Sequence, residues 1–255
     1  MISRQGAEYN MRLAFISDIH GNILALLNVL KDITEQDTDE IYCLGDLVGY
    51  GPDPNQVIDT IRHLRIPAVM GNYDEGVGFS KGDCGCAYVS EEEKSNGQIS
   101  IDWTTNRVTT DNKEYLQKLH KEISFEREGM RFLLVHGSPR RINEYLFEDR
   151  PEDSLRRVLE GKEIDVMLCG HTHKQYQRMI DGIHVINDGS VGKPKDGDPR
   201  ACYALVDTNE FKVEFRRVKY PVETVVEDVI KAGLPRAYAD DLLTGGKYPS
   251  LYPPV

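Results

Sequence analysis

The sequence predicts an α/β fold in which a parallel sheet packs against a second sheet. Residues 12–70 alternate short apolar runs with amphipathic segments, and this β-α-β-α-β order is typical of parallel strands joined by right-handed crossovers. The second half of the chain is rich in short apolar runs, which indicates further strands. No repeat or linker interrupts the sequence, so we expect one domain over residues 1–255, with residues 1–10 as a loose polar extension.

The first half supplies three predicted strands, and each of them ends in a polar cluster. These strands are expected at residues 12–17, 41–44 and 66–70. A first helix is expected after Asn22, a common N-cap residue, and a second after the proline-rich turn at residues 52–54. The predicted buried face of the first helix consists of Leu24, Leu27, Leu30 and Ile33.

The second half is predicted to contain four helices and two hairpins among its strands. Glu128-Gly129 and Asp181-Gly182 are hairpin turn signals, and Ser90 with Glu93 forms a capping box. Residues 75–89 and the tail after residue 231 are expected to be irregular. The helices are expected at residues 90–103, 111–119, 151–159 and 222–231. The strands are expected at residues 123–127, 130–135, 164–169, 176–180, 183–186, 201–207 and 211–218.

The composition is that of a soluble globular protein, with 40% hydrophobic and 29% charged residues. The net charge of -11 excludes a broad basic surface, so we expect no extended nucleic acid as a partner. The sequence has no apolar run of about 18 residues, so we expect no membrane span. Cys43, Cys169 and Cys202 lie in apolar runs, whereas Cys84 and Cys86 lie in a loop, where we predict a packing role. This cysteine usage favours a reducing, cytoplasmic setting.

Five clusters at predicted strand ends carry metal-binding residue types. They supply seven donors: Asp18, His20, Asp46, Asn72, His136, His171 and His173. Carboxylate, imidazole and amide donors suit divalent ions such as Mn²⁺, Fe²⁺, Zn²⁺, Ni²⁺ or Co²⁺. A lone Asp or Asn at such a position is a common turn residue, but the five clusters together favour a metal site. Seven donors exceed the needs of one tetrahedral ion, so with one shared carboxylate they divide between two ions.

These clusters, in this order and spacing, resemble the calcineurin-like metallophosphoesterase superfamily. The matching motifs are Asp18-x-His20, Gly45-Asp46, Gly71-Asn72, His136-Gly137 and Gly170-His171-x-His173. The later segment Asn187-Asp188-Gly189-Ser190 is similar to one in the small bacterial and archaeal phosphodiesterases of the superfamily. The resemblance implies a four-layer α-β-β-α sandwich of two mixed sheets flanked by helices, with the site at the C-terminal ends of the strands.

The resemblance also implies a role for each ligand. One metal would be held by Asp18, His20 and His173, and the other by Asn72, His136 and His171. Asp46 would bridge the two ions, and a bridging hydroxide would attack phosphorus. Asp46, Asn72 and His136 are therefore predicted to be catalytic as well as metal-binding.

Two positions depart from the pattern of the superfamily. Gly49 stands where many members have a second aspartate, and Tyr73 stands where many have a histidine. In phosphatases of the superfamily these two side chains form a pair, in which the histidine donates a proton to the leaving group. A tyrosine with a pKa of about 10 is a poor replacement near neutral pH. We therefore expect a preference for esters with activated leaving groups, such as aryl phosphodiesters.

The sequence thus predicts a binuclear metal-dependent phosphodiesterase that acts on a small or nucleotide-like phosphate ester. Tyr73, Arg140 and Arg141 are the predicted substrate-binding residues, since arginine suits a phosphate geometrically. A protein or small-molecule phosphomonoesterase is the first alternative, and a non-catalytic metal-binding scaffold on the same fold is the second. The substrate, the physiological metal and the oligomeric state stay open.

Overall fold

A computed structural model describes residues 11–246, which contain eight helices and nine strands. The predicted N-terminal extension lies outside this range. The strands are β1 (Arg12–Ile16), β2 (Glu40–Cys43), β3 (Glu122–Arg127), β4 (Met130–Val135), β5 (Val166–Cys169), β6 (Tyr176–Ile180), β7 (Ile183–Asn187), β8 (Ala201–Asp207) and β9 (Lys212–Val218). The helices are α1 (Ile23–Glu35), α2 (Pro54–His63), α3 (Asn72–Gly78), α4 (Glu91–Arg107), α5 (Thr110–Gln117), α6 (Glu152–Leu159), α7 (Val222–Lys231) and α8 (Arg236–Thr244).

The strands form two mixed sheets, as predicted. The first sheet has the order β2-β1-β8-β9, in which β1 is parallel to β2 and antiparallel to β8. The second sheet has the order β3-β4-β5-β7-β6, in which β4, β5 and β7 are parallel. Both predicted hairpins are present, because β3 pairs with β4 and β6 pairs with β7 in antiparallel fashion. The parallel strands therefore direct their C-terminal ends to one edge of each sheet.

The two sheets pack face to face, and alternate side chains of each strand point to opposite faces of its sheet. Leu13 and Phe15 of β1 pack against side chains of the second sheet such as Phe132 and Leu168. The intervening residues of β1, Ala14 and Ile16, face the opposite side and pack with helices α1 to α5. The outer face of the second sheet is covered by α6, which buries Leu155, Val158 and Leu159. This arrangement is the four-layer α-β-β-α sandwich that the resemblance implies.

The predicted third strand, residues 66–70, forms only isolated bridges to Cys43 and His120. Pro67 accepts a hydrogen bond from Cys43 N but has no N–H to donate, so the ladder cannot continue. The predicted buried face of α1 also differs from the observed one, which is rotated about the helix axis. Leu27 is 49% exposed, and the buried face instead consists of Ile23, Ala25, Leu26, Val29 and Ile33.

Two helices occur where irregular chain was expected. Helix α3 begins within the site and continues to Gly78, because the Asp74 carboxylate accepts a hydrogen bond from Gly71 N and caps its first turn. Helix α8 follows Pro235 and buries Tyr238, Ala239 and Leu242. The rest of the predicted irregular tail, residues 247–255, lies outside the described range. Within residues 11–246, no helix combines the length and the apolar character that crossing a membrane requires.

Candidate metal centre

The seven predicted ligands converge at the C-terminal edge of the two sheets. Asp18 and His20 follow β1, Asp46 follows β2, and Asn72 is the first residue of α3. His136 follows β4 directly, and His171 and His173 follow β5. All seven are buried, with at most 3% of each residue exposed. The strand ends of both sheets therefore build one enclosed polar site.

The donors form two neighbouring groups, one of Asp18, His20 and His173 and one of Asp46, His136 and His171. Within each group the donor atoms lie within 4.8 Å of one another. Asp46 lies between the groups, because its Oδ2 is 3.4 Å from His136 Nε2 and 3.6 Å from His20 Nε2. Asn72 Oδ1 is 3.0 Å from His136 Nε2 and adds an amide oxygen to the second group.

Backbone carbonyls orient three of the histidines toward the centre. The Nδ1 atoms of His20, His136 and His173 lie 2.9, 2.8 and 2.5 Å from the carbonyl oxygens of Val48, Leu44 and Lys193. A carbonyl oxygen can only accept, so each Nδ1 carries a hydrogen and, in a neutral ring, Nε2 is left as a lone-pair donor. This is the tautomer that metal coordination through Nε2 requires.

Unsatisfied donors support a metal site. The Nε2 atoms of His20 and His173 face each other at 3.2 Å, and two lone pairs at this distance repel unless a cation or proton lies between them. Asp18 Oδ1 and His171 Nε2 are buried without a hydrogen-bond partner in the described part of the chain. Buried polar atoms are normally paired. The donor set therefore fits two divalent cations.

Five of the seven residues have a left-handed backbone, which residues other than glycine rarely adopt. Their φ angles lie between 49° and 67°: Asp18, His20, Asp46, His171 and His173. Such conformations cluster at functional sites, where surrounding contacts hold them. Here they turn the chain sharply after each strand, so that the side chains of residues two apart, such as Asp18 and His20, reach the same centre.

Asp74 braces the loop that carries Asp46. Its Oδ2 accepts hydrogen bonds from Asp46 N at 2.8 Å and Gly71 N at 2.9 Å, and its Oδ1 accepts one from Leu47 N at 2.9 Å. Burial and the nearby charge of Asp46 raise the pKa of Asp74 to about 7. A bracing or capping role for Asp74 is expected from the sequence, and the structure shows that its carboxylate supports the Asp46 loop and the Gly71 turn at once.

The ionisation of the second group follows from burial and charge. Burial acts to lower the pKa of His136, but Asp46 and Asp18 outweigh it and raise the pKa to about 10, so without a metal its Nε2 carries a proton, which a bound cation would replace. Burial acts to raise the pKa of Asp46, and the charge of His136 outweighs it. His171 is lowered to a pKa of about 3 by burial and by the charge of His136, so its ring is neutral and can coordinate a metal.

Cys84 and Cys86 form a disulfide beside Asn72, whereas Cys43, Cys169 and Cys202 are buried and free, as predicted. Asn72 Nδ2 donates to Cys84 O at 2.9 Å and lies 3.2 Å from Cys86 Sγ. These contacts fix the amide so that its oxygen faces His136. The Cys84–Cys86 segment therefore orients the predicted ligand Asn72, whereas the sequence indicated only a packing role.

Gly49 and Tyr73 are in direct contact. A Cβ atom on Gly49 would lie 2.3 Å from Tyr73 Cδ1, so the tyrosine ring occupies the space of the missing side chain. The ring of Tyr73 also packs edge-on against His20, with centroids 5.5 Å apart. Tyr73 is 1% exposed, and burial raises its pKa well above the ordinary value. Substrate binding by Tyr73 stays a prediction.

The two predicted phosphate-binding arginines lie on the surface of the loop after β4. Arg140 forms an ion pair with Glu144, and the side chain of Arg141 is exposed. Neither residue lines the cavity beside the metal centre, whose cationic residues are Lys174, Lys193 and Lys195. Substrate binding by the arginines therefore stays a prediction. Lys193 and Lys195 are further candidates for contact with a phosphate, and the sequence did not indicate them.

Several known proteins are similar in sequence to this chain. Residues 11–210 match the family described as the calcineurin-like phosphoesterase superfamily domain. The uncharacterized protein MJ0912 of Methanocaldococcus jannaschii is 34% identical over 250 residues, which cover 91% of this chain and 98% of that protein. Phosphodiesterase YfcE of Escherichia coli K12 is 25% identical over 213 residues, which cover 80% of this chain and 91% of YfcE.

Solved structures agree with the fold. A metallophosphoesterase from Sphaerobacter thermophilus superposes with a TM-score of 0.77 at 29% identity, covering 92% of this chain and 99% of the other. The hypothetical protein PH1004 from Pyrococcus horikoshii OT3 gives a TM-score of 0.81 at 23% identity, covering 93% and 100%. The motifs, the two donor groups and these matches agree, and the chain belongs to the calcineurin-like phosphoesterase superfamily.

Proposed function

We propose that this phosphoesterase is a binuclear phosphodiesterase that hydrolyses a small or nucleotide-like phosphate ester. The observation that carries the proposal is the position of Asp46, whose Oδ2 lies within 3.6 Å of histidine nitrogens from both donor groups. In this proposal Asp18, His20 and His173 hold one divalent ion, Asn72, His136 and His171 hold the other, and Asp46 is shared. Mn²⁺, Fe²⁺, Zn²⁺, Ni²⁺ and Co²⁺ all suit these donors.

Bound metals would activate water and neutralise the charge that develops on the phosphoryl oxygens. The chain's own residues keep the ligands in position. Asp46 Oδ1 accepts a hydrogen bond from Tyr73 N at 2.8 Å, which leaves Oδ2 directed at both donor groups. Asp74 fixes the backbone of Asp46 from the other side. The bridging carboxylate is therefore preorganised by two contacts that do not involve metal.

The preference for activated leaving groups is inferred from Gly49 and Tyr73. The buried hydroxyl of Tyr73 has a raised pKa and is a poor proton donor at neutral pH. Without a proton donor, the leaving group must be stable as an anion, as an aryl oxide is. The choice of diesters over monoesters is supported by the relative YfcE, which is named a phosphodiesterase.

A substrate panel tests the proposal. The purified protein is loaded with Mn²⁺, Ni²⁺ or Zn²⁺, its metal content is measured, and bis(p-nitrophenyl) phosphate, p-nitrophenyl phosphate and phosphoserine are compared. We expect two metals per chain and fastest hydrolysis of the aryl diester. Faster hydrolysis of the monoesters would support a phosphomonoesterase instead. Two tightly bound metals without turnover of any ester would support a non-catalytic scaffold.

The variant Asp46→Asn isolates the shared carboxylate. Asparagine keeps an oxygen for Tyr73 N and tolerates the left-handed backbone of this position, where φ is 54°. We therefore expect a stable protein whose kcat/KM falls by at least about 100-fold and whose metal content drops. Nearly unchanged activity in this variant would refute the two-metal assignment.

A further inference from the structure

A cavity of about 380 Å³ opens beside the metal centre. Two aromatic rings connect it to the proposed ligands: the Tyr145 ring lies 4.0 Å from the His171 ring, and the Tyr50 ring lies 4.7 Å from the His20 ring, measured between centroids. Tyr88, Phe147 and Tyr238 complete an aromatic lining. A substrate whose phosphate reaches the metal centre would therefore place its organic group among these rings.

The charged side chains of the cavity differ in whether they are already paired. Lys193 forms an ion pair with Asp241 and lies 5.1 Å from the centroid of the Tyr50 ring. Glu93 accepts a hydrogen bond from Val89 N. The Lys174 side chain is exposed.

Lys195 is half-buried and its ammonium has no hydrogen bond or ion pair with any residue in the range 11–246. Its backbone N donates to His173 O at 3.3 Å, which places the residue next to a proposed metal ligand. A half-buried ammonium without a partner is costly, and an anionic ligand in the cavity would satisfy it. Lys195 is therefore a half-buried, unpaired cation of this cavity that is available to a substrate.

We propose that Lys195 and the surrounding rings form a binding subsite for aromatic phosphate esters, in which the Lys195 ammonium donates hydrogen bonds to an anionic oxygen of the phosphate. The aromatic group, whether a simple aryl ring or a nucleobase, packs among Tyr50, Tyr88 and Tyr145. The choice of phosphate esters as ligands rests on the proposed function. The subsite itself is tested by measuring ligand binding, independently of hydrolysis.

The closing experiment measures binding to the metal-loaded protein by calorimetry. Inorganic phosphate, methyl phosphate, phenyl phosphate and thymidine 5′-monophosphate are the probes. The variants are Lys195→Met, Lys195→Arg and the control Lys212→Met, which changes an exposed lysine outside the cavity. Metal content is measured for each variant. If Lys195→Met does not fold, Lys195→Gln, which is polar and of similar length, takes its place.

Loss of a hydrogen bond to a charged group typically weakens binding by about 10- to 100-fold. We expect this loss of phosphate affinity in Lys195→Met, with less than about a 3-fold change in Lys212→Met because an exposed charge outside the cavity contributes little. Lys195→Arg should stay within about 5-fold of the wild type, because arginine also donates to phosphate. Unchanged phosphate affinity in Lys195→Met at equal metal content would overturn the role of Lys195.

A comparison of two phosphate monoesters tests whether the aromatic rings of the cavity contribute to binding. We expect phenyl phosphate to bind about 5- to 10-fold more tightly than methyl phosphate, which has the same charge. Equal affinity of the two would overturn the aromatic subsite. Thymidine 5′-monophosphate distinguishes a nucleobase from a simple aryl group. If the wild type hydrolyses no ester but Lys195→Met still binds phosphate more weakly, the proposed phosphodiesterase activity is refuted and the binding subsite is supported. If the wild type hydrolyses the aryl diester but Lys195→Met binds phosphate as tightly as the wild type, the activity is supported and the subsite is refuted.

Discussion

Asp18, His20, Asp46, His171 and His173 share a left-handed backbone that costs roughly 1 kcal/mol or more per residue outside glycine. The hydrogen bonds that hold these turns, such as Asp18 N to Gly45 O and His171 N to Asp18 Oδ2, offset part of this cost. These strained turns aim donors from separate strands at one centre.

The contact between Gly49 and Tyr73 leads to a prediction about paired substitutions. Gly49→Asp alone should destabilise the protein by about 1–3 kcal/mol, because the new side chain overlaps the Tyr73 ring. Tyr73→His alone should leave alkyl phosphomonoester turnover unchanged, because no carboxylate orients the imidazole. The double variant gives the aspartate room beside the smaller ring and should raise this turnover by about 10- to 100-fold. Steady-state kinetics with phosphoserine measures the effect.

Urea unfolding of the three variants separates packing from catalysis. The double variant should recover part of the stability that Gly49→Asp loses, because the smaller imidazole ring overlaps the new side chain less than the tyrosine ring does. The positive φ of Gly49, 92°, keeps some strain in both aspartate variants. If Tyr73→His alone gains as much monoester activity as the double variant, the two positions do not act as a pair.

At the scale of elements, strand ends were the predictable part of the site. Asp18, Asp46, His136 and His171 each follow a short apolar run. Such a run is recognisable in the sequence because a buried strand needs apolar side chains along its length. Helix α3 could not be recognised, since its position depends on hydrogen bonds that the Asp74 carboxylate accepts from Asp46 N and Leu47 N of another loop. The donor distances and left-handed turns depend on contacts between distant segments, which a single sequence does not specify.

The loop after β4 is held by one carboxylate, and this gives a prediction about pH. Glu144 accepts hydrogen bonds from Ser138 Oγ at 2.5 Å and Arg150 Nη2 at 2.7 Å, and it pairs with Arg140. Burial acts to raise the pKa of Glu144, but these hydrogen bonds outweigh it and lower the pKa to about 2.

Because the folded-state pKa of Glu144 is depressed from 4.5, its stabilisation is present above pH 4.5 and is lost as the pH falls toward 2. Glu144→Gln should therefore lower the free energy of unfolding by about 1–3 kcal/mol at pH 7. The difference from wild type should shrink as the pH falls through this window. Urea unfolding between pH 7 and pH 3 measures both, with the exposed Glu148→Gln as control. A constant difference at all pH values would contradict the assignment.

At the scale of the whole molecule, the metal centre and the cavity have different origins in the chain. All seven proposed ligands lie between residues 18 and 173, inside the segment that matches the superfamily. Helices α7 and α8 lie beyond that segment, yet α8 supplies Tyr238 and Asp241 to the cavity wall. Helix α8 therefore shapes the cavity without contributing any proposed ligand, and the ion pair between Asp241 and Lys193 attaches it to the core.

Breaking that ion pair should separate substrate affinity from metal binding. Asp241→Ala leaves Lys193, whose side chain is 6% exposed, without its carboxylate, which should cost about 2–4 kcal/mol of unfolding free energy. Because α8 then loses its attachment beside the cavity, we expect KM for an aryl diester to rise several-fold while kcat and the metal content change little. Asp240→Ala, on the same helix and with the same change of charge, is the control, since Asp240 forms no ion pair within residues 11–246. A loss of metal from Asp241→Ala, or equal kinetic effects in both variants, would show that α8 does not act through the cavity wall.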